Sequence, residues 1–549
     1  MLKPNRQAEI PEETIKVAKA AFPMGNMYLS LRDTLGLIYE DEAFQDLYPR
    51  LGQPAESPGR LALITVMQYV EDLSDRQAAE AVRSRIDWKY MLGLKLEDPG
   101  FDFSVLSEFR QRLLQGGVES LLLETLVARC AELGFLKGQK KQRTDSTHVL
   151  AAVRALSLLE LVGEAMRRAL DEAARLAPDW LRQHMKEEWI KRYERRFEGY
   201  HLPASQAKRE QLAVVIGEDG YDLLQAIHFG TCPAVLKTSP KVAMLQRIWI
   251  HQYYWCEGKV FWRTKEKLGQ PPARDMIASP DDLEVRYSKK RNMEWIGYKV
   301  HLTETCQENA PRLITDVETT PATLHDSKVT SRIHDKLATH GRLPEVHLVD
   351  EGYMEMDLLM ESRNKGIDLV GPLPARKTWQ DRVQGAFDHT HFRIDWHNRK
   401  ATCPNEKTSL HSYTGKTVRG TANATFIFDK KDCQPCPLRI HCSRAKTAGR
   451  ILTLYPQERY ELQQESRKRQ ETEEFKKLYA WRAGIESTIS QSVRRTGLRS
   501  ARYIGLARTH LQHTASAAAI NLARLFDWLQ GEGPRVPWIS PFLTLALQT

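Results

Sequence analysis

The sequence predicts an α/β protein whose core is joined to an all-helical N-terminal domain and interrupted by two insertions, one mainly helical, the other β-rich and cysteine-containing. Three observations carry that expectation. Apolar residues recur at helical spacing through roughly the first 130 positions. The period changes to two from about residue 284. Strand-like and helical segments then alternate, which implies some parallel pairing.

Taken in order, LRDTLGLIYEDEAF, GRLALITVMQYVEDL and FSVLSEFRQRLL each show the helical spacing. Ser74 and Gln77 in LSDRQAAEAV form a capping-box pattern, so one helix ends near Leu73 and the next begins at Ser74. That is a helix-turn-helix candidate, with an ordinary helical hairpin as the alternative. GQKKQRTDSTHV leads a basic stretch into Thr144, Asp145, Ser146 and Thr147, a strand by its β-branched content. From 150 to about 228 the chain returns to helix, and stretches such as MRRALDEAARL and MKEEWIKRYERRFEGY carry both signs of charge. Their charges read as a solvated face, with Arg192, Arg195 and Arg196 as alternative followers of a phosphate backbone.

WIGYKVHLTE and RLITDVETT read as paired strands. A helix starts near His325 and Asp326, PEVHLVDEGY is a buried strand ending in a turn, and MEMDLLMESRNKG is a further helix. Residues 375–465 are short, polar, β-prone pieces holding four of the eight cysteines. A long helical region is expected from about Glu471 to Arg495. Another, from about Leu506 to Leu529, carries the apolar set Leu511, Ala515, Ala518, Leu522 and Phe526. The resulting division is a helical domain at 1–130, a core at 138–530 interrupted at 150–285 and 375–465, and a Pro-containing tail at 531–549 that forms a surface extension.

With 549 residues and 42% hydrophobic content the chain can bury a large core, and domains of about 100–200 residues make three or four units. Eighty Lys and Arg against 70 Asp and Glu give a net charge of +10, which suits a polyanionic partner. No stretch reaches the roughly 20 apolar residues of a membrane span, and MLKPNRQAEIPEE lacks a signal-peptide core, so a cytoplasmic, membrane-free protein is expected. Eight cysteines are too few for a disulfide scaffold of this length.

Three acids stand out by position: Asp145 on the first strand, Asp350 at the end of a buried strand, and Glu486 on a late helix. Side chains at the carboxyl ends of strands in an α/β sheet point into the crevice where ligands bind. Three hard oxygen ligands leave positions on Mg²⁺ for water and phosphate oxygens. Asp316 is a weaker rival because it sits mid-strand without a turn to present it. Asp326 reads as a helix-start residue, and Glu473 and Glu474 lie in a solvated charge run.

Read together, the N-terminal run from LRDTLGLIYEDEAF through VLSEFRQRLL, then RTDSTHV, WIGYKVHLTE, TPATLHDS, HLVDEGY and YAWRAGIESTISQSVRRTGLRSARYIGL, resemble in their order the insertion-sequence DDE transposases with an InsH-like N-terminal domain. The resemblance covers nearly the whole chain and implies an RNase H-like catalytic core. It implies Asp145, Asp350 and Glu486 as catalytic carboxylates holding two Mg²⁺ or Mn²⁺ ions. The family's last motif places a Tyr and an Arg before the Glu on one helix, here Tyr479 and Arg482, both implied to contact DNA. Arg482, four residues before Glu486, would share its helix face. At the usual position of the downstream basic residue this chain has Val493, so that role passes to Arg494 and Arg495.

Cys433, Cys436 and Cys442 in CQPCPLRIHC, with Cys403 upstream, have spacing suited to structural Zn²⁺. His441 is a substitute ligand and free thiols are the alternative; similar insertions in the resembling family carry such cysteines. His389 and His391 flank Thr390 in the manner of a nuclease class that uses a catalytic tyrosine. That class wants an apolar residue between them, and alternation on an exposed strand explains the pair.

The reaction implied is metal-dependent cleavage at element ends, followed by attack of the freed 3′-hydroxyl on target DNA. Partners would be double-stranded DNA, both terminal inverted repeats and target, bound by a homodimer or larger assembly in a prokaryotic, nucleoid-associated setting. Residues 74–92 are one candidate base reader. The rival functions are an RNase H-like nuclease without strand transfer and a catalytically silent DNA-binding regulator.

Overall fold

The computed structural model describes residues 2, 9–138, 140–263, 269–375, 378–416 and 420–531. It divides into two compact units. The first comprises residues 1–139, 144–324 and 485–549, and the second residues 140–143 and 325–484. The expected tail beyond Gly531 lies outside the described residues.

The first unit begins with seven helices, Glu12–Ala21, Met27–Leu35, Pro58–Val70, Asp75–Ser84, Ile86–Leu92, Ser104–Gly116 and Leu121–Glu132. Their starts follow local chemistry. Asn26 accepts from the Tyr28 N–H, Ser57 accepts from the Arg60 N–H, and Ser74 with Gln77 completes the expected capping box. Asp75 also takes both terminal nitrogens of buried Arg110, at 3.0 and 2.5 Å, tying this helix to Ser104–Gly116. In Ile86–Leu92 every residue from Asp87 onward is buried, so only the Asp75–Ser84 part of the 74–92 span offers an exposed face.

Strand β1 (Lys141–Leu150) follows and supplies residues to both units. The helical insertion then spans Leu158–Leu176 to Pro240–Gln252 and ends in a hairpin of β2 (Tyr253–Cys256) and β3 (Lys259–Trp262). It has a core of its own, around Val162, Met166, Ile216, Leu223 and Trp249. Gly220 is required there: a Cβ would lie 2.1 Å from the Trp249 ring. Asp219 within this core accepts from Trp189, Tyr193 and Arg192, so Arg192 is committed to the fold, whereas Arg195 and Arg196 are exposed.

Strands β4 (Arg286–Lys290), β5 (Met293–Thr305) and β6 (Ile314–Pro321) form antiparallel pairs, as the period of two predicts. Thr144 meets Thr303 near the start of β1, while Ala151 just past its end bonds to Ile296, so β5 runs antiparallel to β1. Leu506–Leu529 packs on this sheet and on the N-terminal helices in one continuous core with Leu31, Leu61, Val66, Leu126, Tyr298 and Ile485. Leu511, Ala515, Ala518 and Leu522 are buried as expected and Phe526 is half-buried, but Gln512, His513, Ser516 and Asn521 are buried too. Asn521 clips the helix to the start of β6, bonding both the N–H and the carbonyl of Ile314 at 2.8 Å.

In the second unit, residues 141–143 of β1 pair in parallel with β7 (Val346–Leu348), and β7 pairs in parallel with β8 (Asp368–Val370). Helices Ser327–Thr339 and Met356–Asn364 accompany them, over a small core of Val349, Tyr353, Leu359, Leu369 and Leu462. The β-rich insertion contains β9 (Arg393–Asp395), β10 (Lys400–Thr402), β11 (His411–Lys416), β12 (Ala422–Ile427) and β13 (Ile451–Leu454) around Phe392, Phe426, Phe428 and Leu452. His389–His391 is a short 3₁₀ turn rather than the expected strand, because Asp388 accepts from the Thr390 N–H and closes it.

Candidate active site

Asp145 sits within β1, 9% exposed, with one carboxylate oxygen accepting from the Ser146 N–H at 2.7 Å. The strand is held firmly on both sides of it. The Thr144 hydroxyl bonds to that of Thr303 at 2.7 Å, and Gly297 of β5 approaches so closely that a Cβ there would lie 2.0 Å from the Val149 carbonyl.

Glu486 is exposed in the first turn of Gly484–Thr496, where the N-terminal end of the helix dipole favours an anion. The opposite face, Ile485, Thr488, Ile489, Ser492 and Thr496, is buried. Thr488 anchors that face by donating to Glu304 of β5 at 2.7 Å. Glu304 is fully buried and pairs with Arg524 at 2.7 Å; Arg524 in turn donates to Thr488 at 2.6 Å. A buried charge pair with its remaining valences hydrogen-bonded fixes which way the helix faces, and so keeps Glu486 outward.

Asp350 follows β7, half-buried, and accepts from the Glu351 N–H at 2.7 Å to start the 3₁₀ turn Glu351–Tyr353. A Cβ on Gly352 would come within 3.2 Å of an Asp326 carboxylate oxygen. Asp326 does stand at a helix start, but its side chain makes no capping bond there. In β7 itself, His347 bonds to His334 at 2.8 Å. Burial lowers both imidazoles, His334 to about 4, so the pair is neutral near pH 7. The last register pair of β1 with β7 is Arg143 with Leu348, and Asp145 and Asp350 each stand two residues further along the chain.

Tyr479, Arg482 and Glu486 do not share one helix, which corrects the expectation of a single run from Glu471 to Arg495. Helices Gln457–Gln470 and Glu473–Ala480 are separate, the 3₁₀ turn Trp481–Ala483 intervenes, and Gly484–Thr496 follows. The cause is Arg143, which is 1% exposed and donates to the Trp481 carbonyl at 2.5 Å, capturing the acceptor that an α-helix would give to residue 485. Gly484 makes room, since a Cβ there would lie 2.1 Å from the Arg143 guanidinium. Tyr479 stacks on Phe475 and is half-buried, as is Arg482. Tyr479 and Arg482 belong to the second unit, Glu486 to the first. Arg494 and Arg495 are exposed at the end of their helix, whereas Val493 packs on the core.

Cys403, Cys433, Cys436 and Cys442 line one cavity of about 30 Å³, room for little more than an ion or a water. The Cys403 and Cys433 sulfurs accept backbone N–H groups of Lys407 and Arg450, at 3.3 and 3.4 Å. Burial first, with the neighbouring cysteines adding to it, pushes the Cys442 thiol up to about 11. Among the described residues, however, no group of three or more His, Cys, Asp or Glu side chains is arranged to hold a metal ion, here or at the acids.

Two residues in or beside β1, Arg143 and Arg499, owe their roles to partners far away in the sequence. The only signal at Arg143 was its place at the end of the basic run KKQR, next to Thr144. Arg499, whose Nε donates to the Thr147 hydroxyl at 2.8 Å, carried none, because a non-local pairing brings it to β1.

Residues 402–526 match the transposase DDE domain family, and residues 16–112 match the transposase domain family DUF772. Both families are transposase families, and each match covers only a part of the chain. Their order, DUF772 at the N-terminus and the DDE domain towards the C-terminus, is consistent with an insertion-sequence DDE transposase. The DDE match contains Glu486 and the four clustered cysteines; Asp145 and Asp350 lie outside both matches. A relative in Rhizobium meliloti, the uncharacterized protein ORF8 in the nfe locus, is 25% identical over 107 residues, 19% of this chain and 51% of that protein. The chain thus spans about half the length of that relative. Among the described residues no helix is long and apolar enough to cross a membrane.

Proposed function

We propose that the protein cuts DNA at the ends of an insertion sequence and joins them to target DNA, with Asp145, Asp350 and Glu486 as the catalytic carboxylates. The observation that carries the reading is the pair of matches to transposase families, of which the DDE match contains Glu486. The strand order supports an RNase H-like core, with β6-β5-β1 antiparallel on one side and β1-β7-β8 parallel on the other.

Asp145, Asp350 and Glu486 are hard oxygen donors, the chemistry that Mg²⁺ or Mn²⁺ prefers. When bound, two such ions supply an activated water and stabilise the attacking and leaving oxygens of an in-line displacement. Asp145 and Asp350 hold fixed carboxylate positions through their bonds to the Ser146 and Glu351 N–H groups. Glu486 completes the set from a helix whose orientation Glu304 and Arg524 maintain. Tyr479, Arg482, Arg494 and Arg495 contact and position the DNA backbone. The protein works as a homodimer or larger assembly, since two ends must be held together, and the helical region at 1–130 recognises them. Cys403, Cys433, Cys436 and Cys442 line one cavity without forming a ligand shell, and would hold a structural Zn²⁺ only after deprotonating and closing in.

The test is substitution of Asp145, Asp350 or Glu486 by Ala, scored for DNA cleavage and for DNA binding. Each variant loses cleavage while binding persists. Persistent cleavage by any one of them removes that residue from the site.

A further inference from the structure

Beyond Asp145, β1 continues to Leu150 and acquires a neighbour from the far end of the chain. Gly497, at φ +63°, turns the chain after Thr496. The Leu150 N–H then donates to the Arg499 carbonyl at 2.8 Å, and the Ala501 N–H donates to the Leu150 carbonyl at 2.9 Å. This pairing lays Arg499 along the strand, where its Nε is fixed by the Thr147 hydroxyl. Thr147 and Asp145 are two residues apart on a strand and so share a face.

Arg499 is half-buried, and among the described residues its two terminal nitrogens have neither a hydrogen-bond acceptor nor a carboxylate partner. A guanidinium removed from water without a counter-ion is costly, and its open fork of N–H donors matches phosphate oxygens. The β4–β5 hairpin brings further cations to the same strand end: the Ala151 N–H donates to the Ile296 carbonyl at 3.1 Å, and Lys290 and Arg291 at the hairpin tip are exposed and form no ion pair among the described residues. Lys289, by contrast, is engaged with Glu294. His148 on β1 lies close to both sources of charge. Its imidazole is lowered first by burial and then by Arg499 and Lys290.

We infer that Arg499, with Lys290 and Arg291, grips the phosphate backbone of a DNA strand passing the outer end of β1, and that Arg499 acts as a positioning residue beside the face carrying Asp145. The inference rests on the transposase reading. It adds a contact surface that the Tyr479, Arg482, Arg494 and Arg495 set does not include.

Salt-dependent binding tests it, because each phosphate contact contributes about 0.9 to the slope of log K against log salt concentration. Full-length protein is titrated into a fluorescent blunt duplex of arbitrary sequence at several salt concentrations, and anisotropy is read. Arg499→Ala lowers the slope by about 0.9, and Lys290→Ala/Arg291→Ala lowers it by up to about 1.8. Arg499→Lys keeps the slope and weakens binding, since the charge remains but the fork is lost. Arg182→Ala, in an exposed pair with Asp179 on the helical insertion, leaves both unchanged. A wild-type slope in Arg499→Ala overturns the inference. If that variant fails to fold, a wild-type slope in the hairpin double variant overturns it equally. Failure of the wild-type protein to bind the duplex at all overturns the transposase reading instead.

Discussion

Replacing Arg524 by Met should loosen the helix that carries Glu486 without touching any residue assigned to chemistry. Arg524 is 13% exposed and Glu304 is 0% exposed, so the substitution strands a carboxylate that water cannot reach. Removing one partner of a buried ion pair costs about 3–5 kcal/mol. At about 1.4 kcal/mol per tenfold, that is on the order of 10²- to nearly 10⁴-fold in the local opening equilibrium. Hydrogen exchange read by mass spectrometry on peptides covering Gly484–Thr496 measures it directly, because exchange through local opening follows that equilibrium. A multi-domain chain makes a single melting temperature a poor substitute. The double variant Glu304→Met/Arg524→Met should recover most of the protection, since an apolar pair of similar volume is often neutral relative to a buried salt bridge. Unchanged exchange in the single variant, or no recovery in the double, would refute the anchoring argument.

Gly484→Ala should destabilise by about 1–3 kcal/mol through overpacking against Arg143, read as faster exchange in peptides around Trp481; wild-type exchange would mean that Arg143 moves aside freely. The His334–His347 pair makes stability depend on pH. Both pKa values are lower in the folded than in the unfolded protein, so the contribution is complete above about pH 6.5. It is lost progressively as pH falls towards the His334 value of about 4. His334→Gln should flatten part of that loss in an acid titration followed by exchange of β7 peptides, and an unaltered acid profile would exclude His334 as its source. Purified protein should contain stoichiometric zinc by elemental analysis, absent in Cys433→Ser/Cys436→Ser; metal-free wild-type protein with intact β-rich structure would leave the four residues as plain thiols.

Much of this was legible in the sequence where the signal is local. The capping box at Ser74 and Gln77, the period-two runs of β5 and β6, and the strand-then-turn pattern ending at Asp350 all depend on residues a few positions apart. The CxxC spacing pointed to a zinc site, whereas the four cysteines line one cavity without forming a ligand shell. What was not legible depends on distant partners. Nothing near Trp481 announces that Arg143 takes its carbonyl and divides the long helix. The apolar stripe of Leu506–Leu529 concealed a helix buried all round over residues 511–523, where Gln512, His513 and Asn521 bond to Ser500, Thr319 and Ile314 rather than to water. Arg499 became visible only through its pairing with the end of β1.

The most direct test of the central claim is to incubate purified protein with Mg²⁺ and DNA carrying the element's own ends, and to score cleaved and joined products beside Glu486→Ala. Joined products that vanish in the variant are the predicted result. Cleavage without joining, or binding with neither product under conditions where a related enzyme is active, would contradict the account, the first pointing to a nuclease and the second to a regulator.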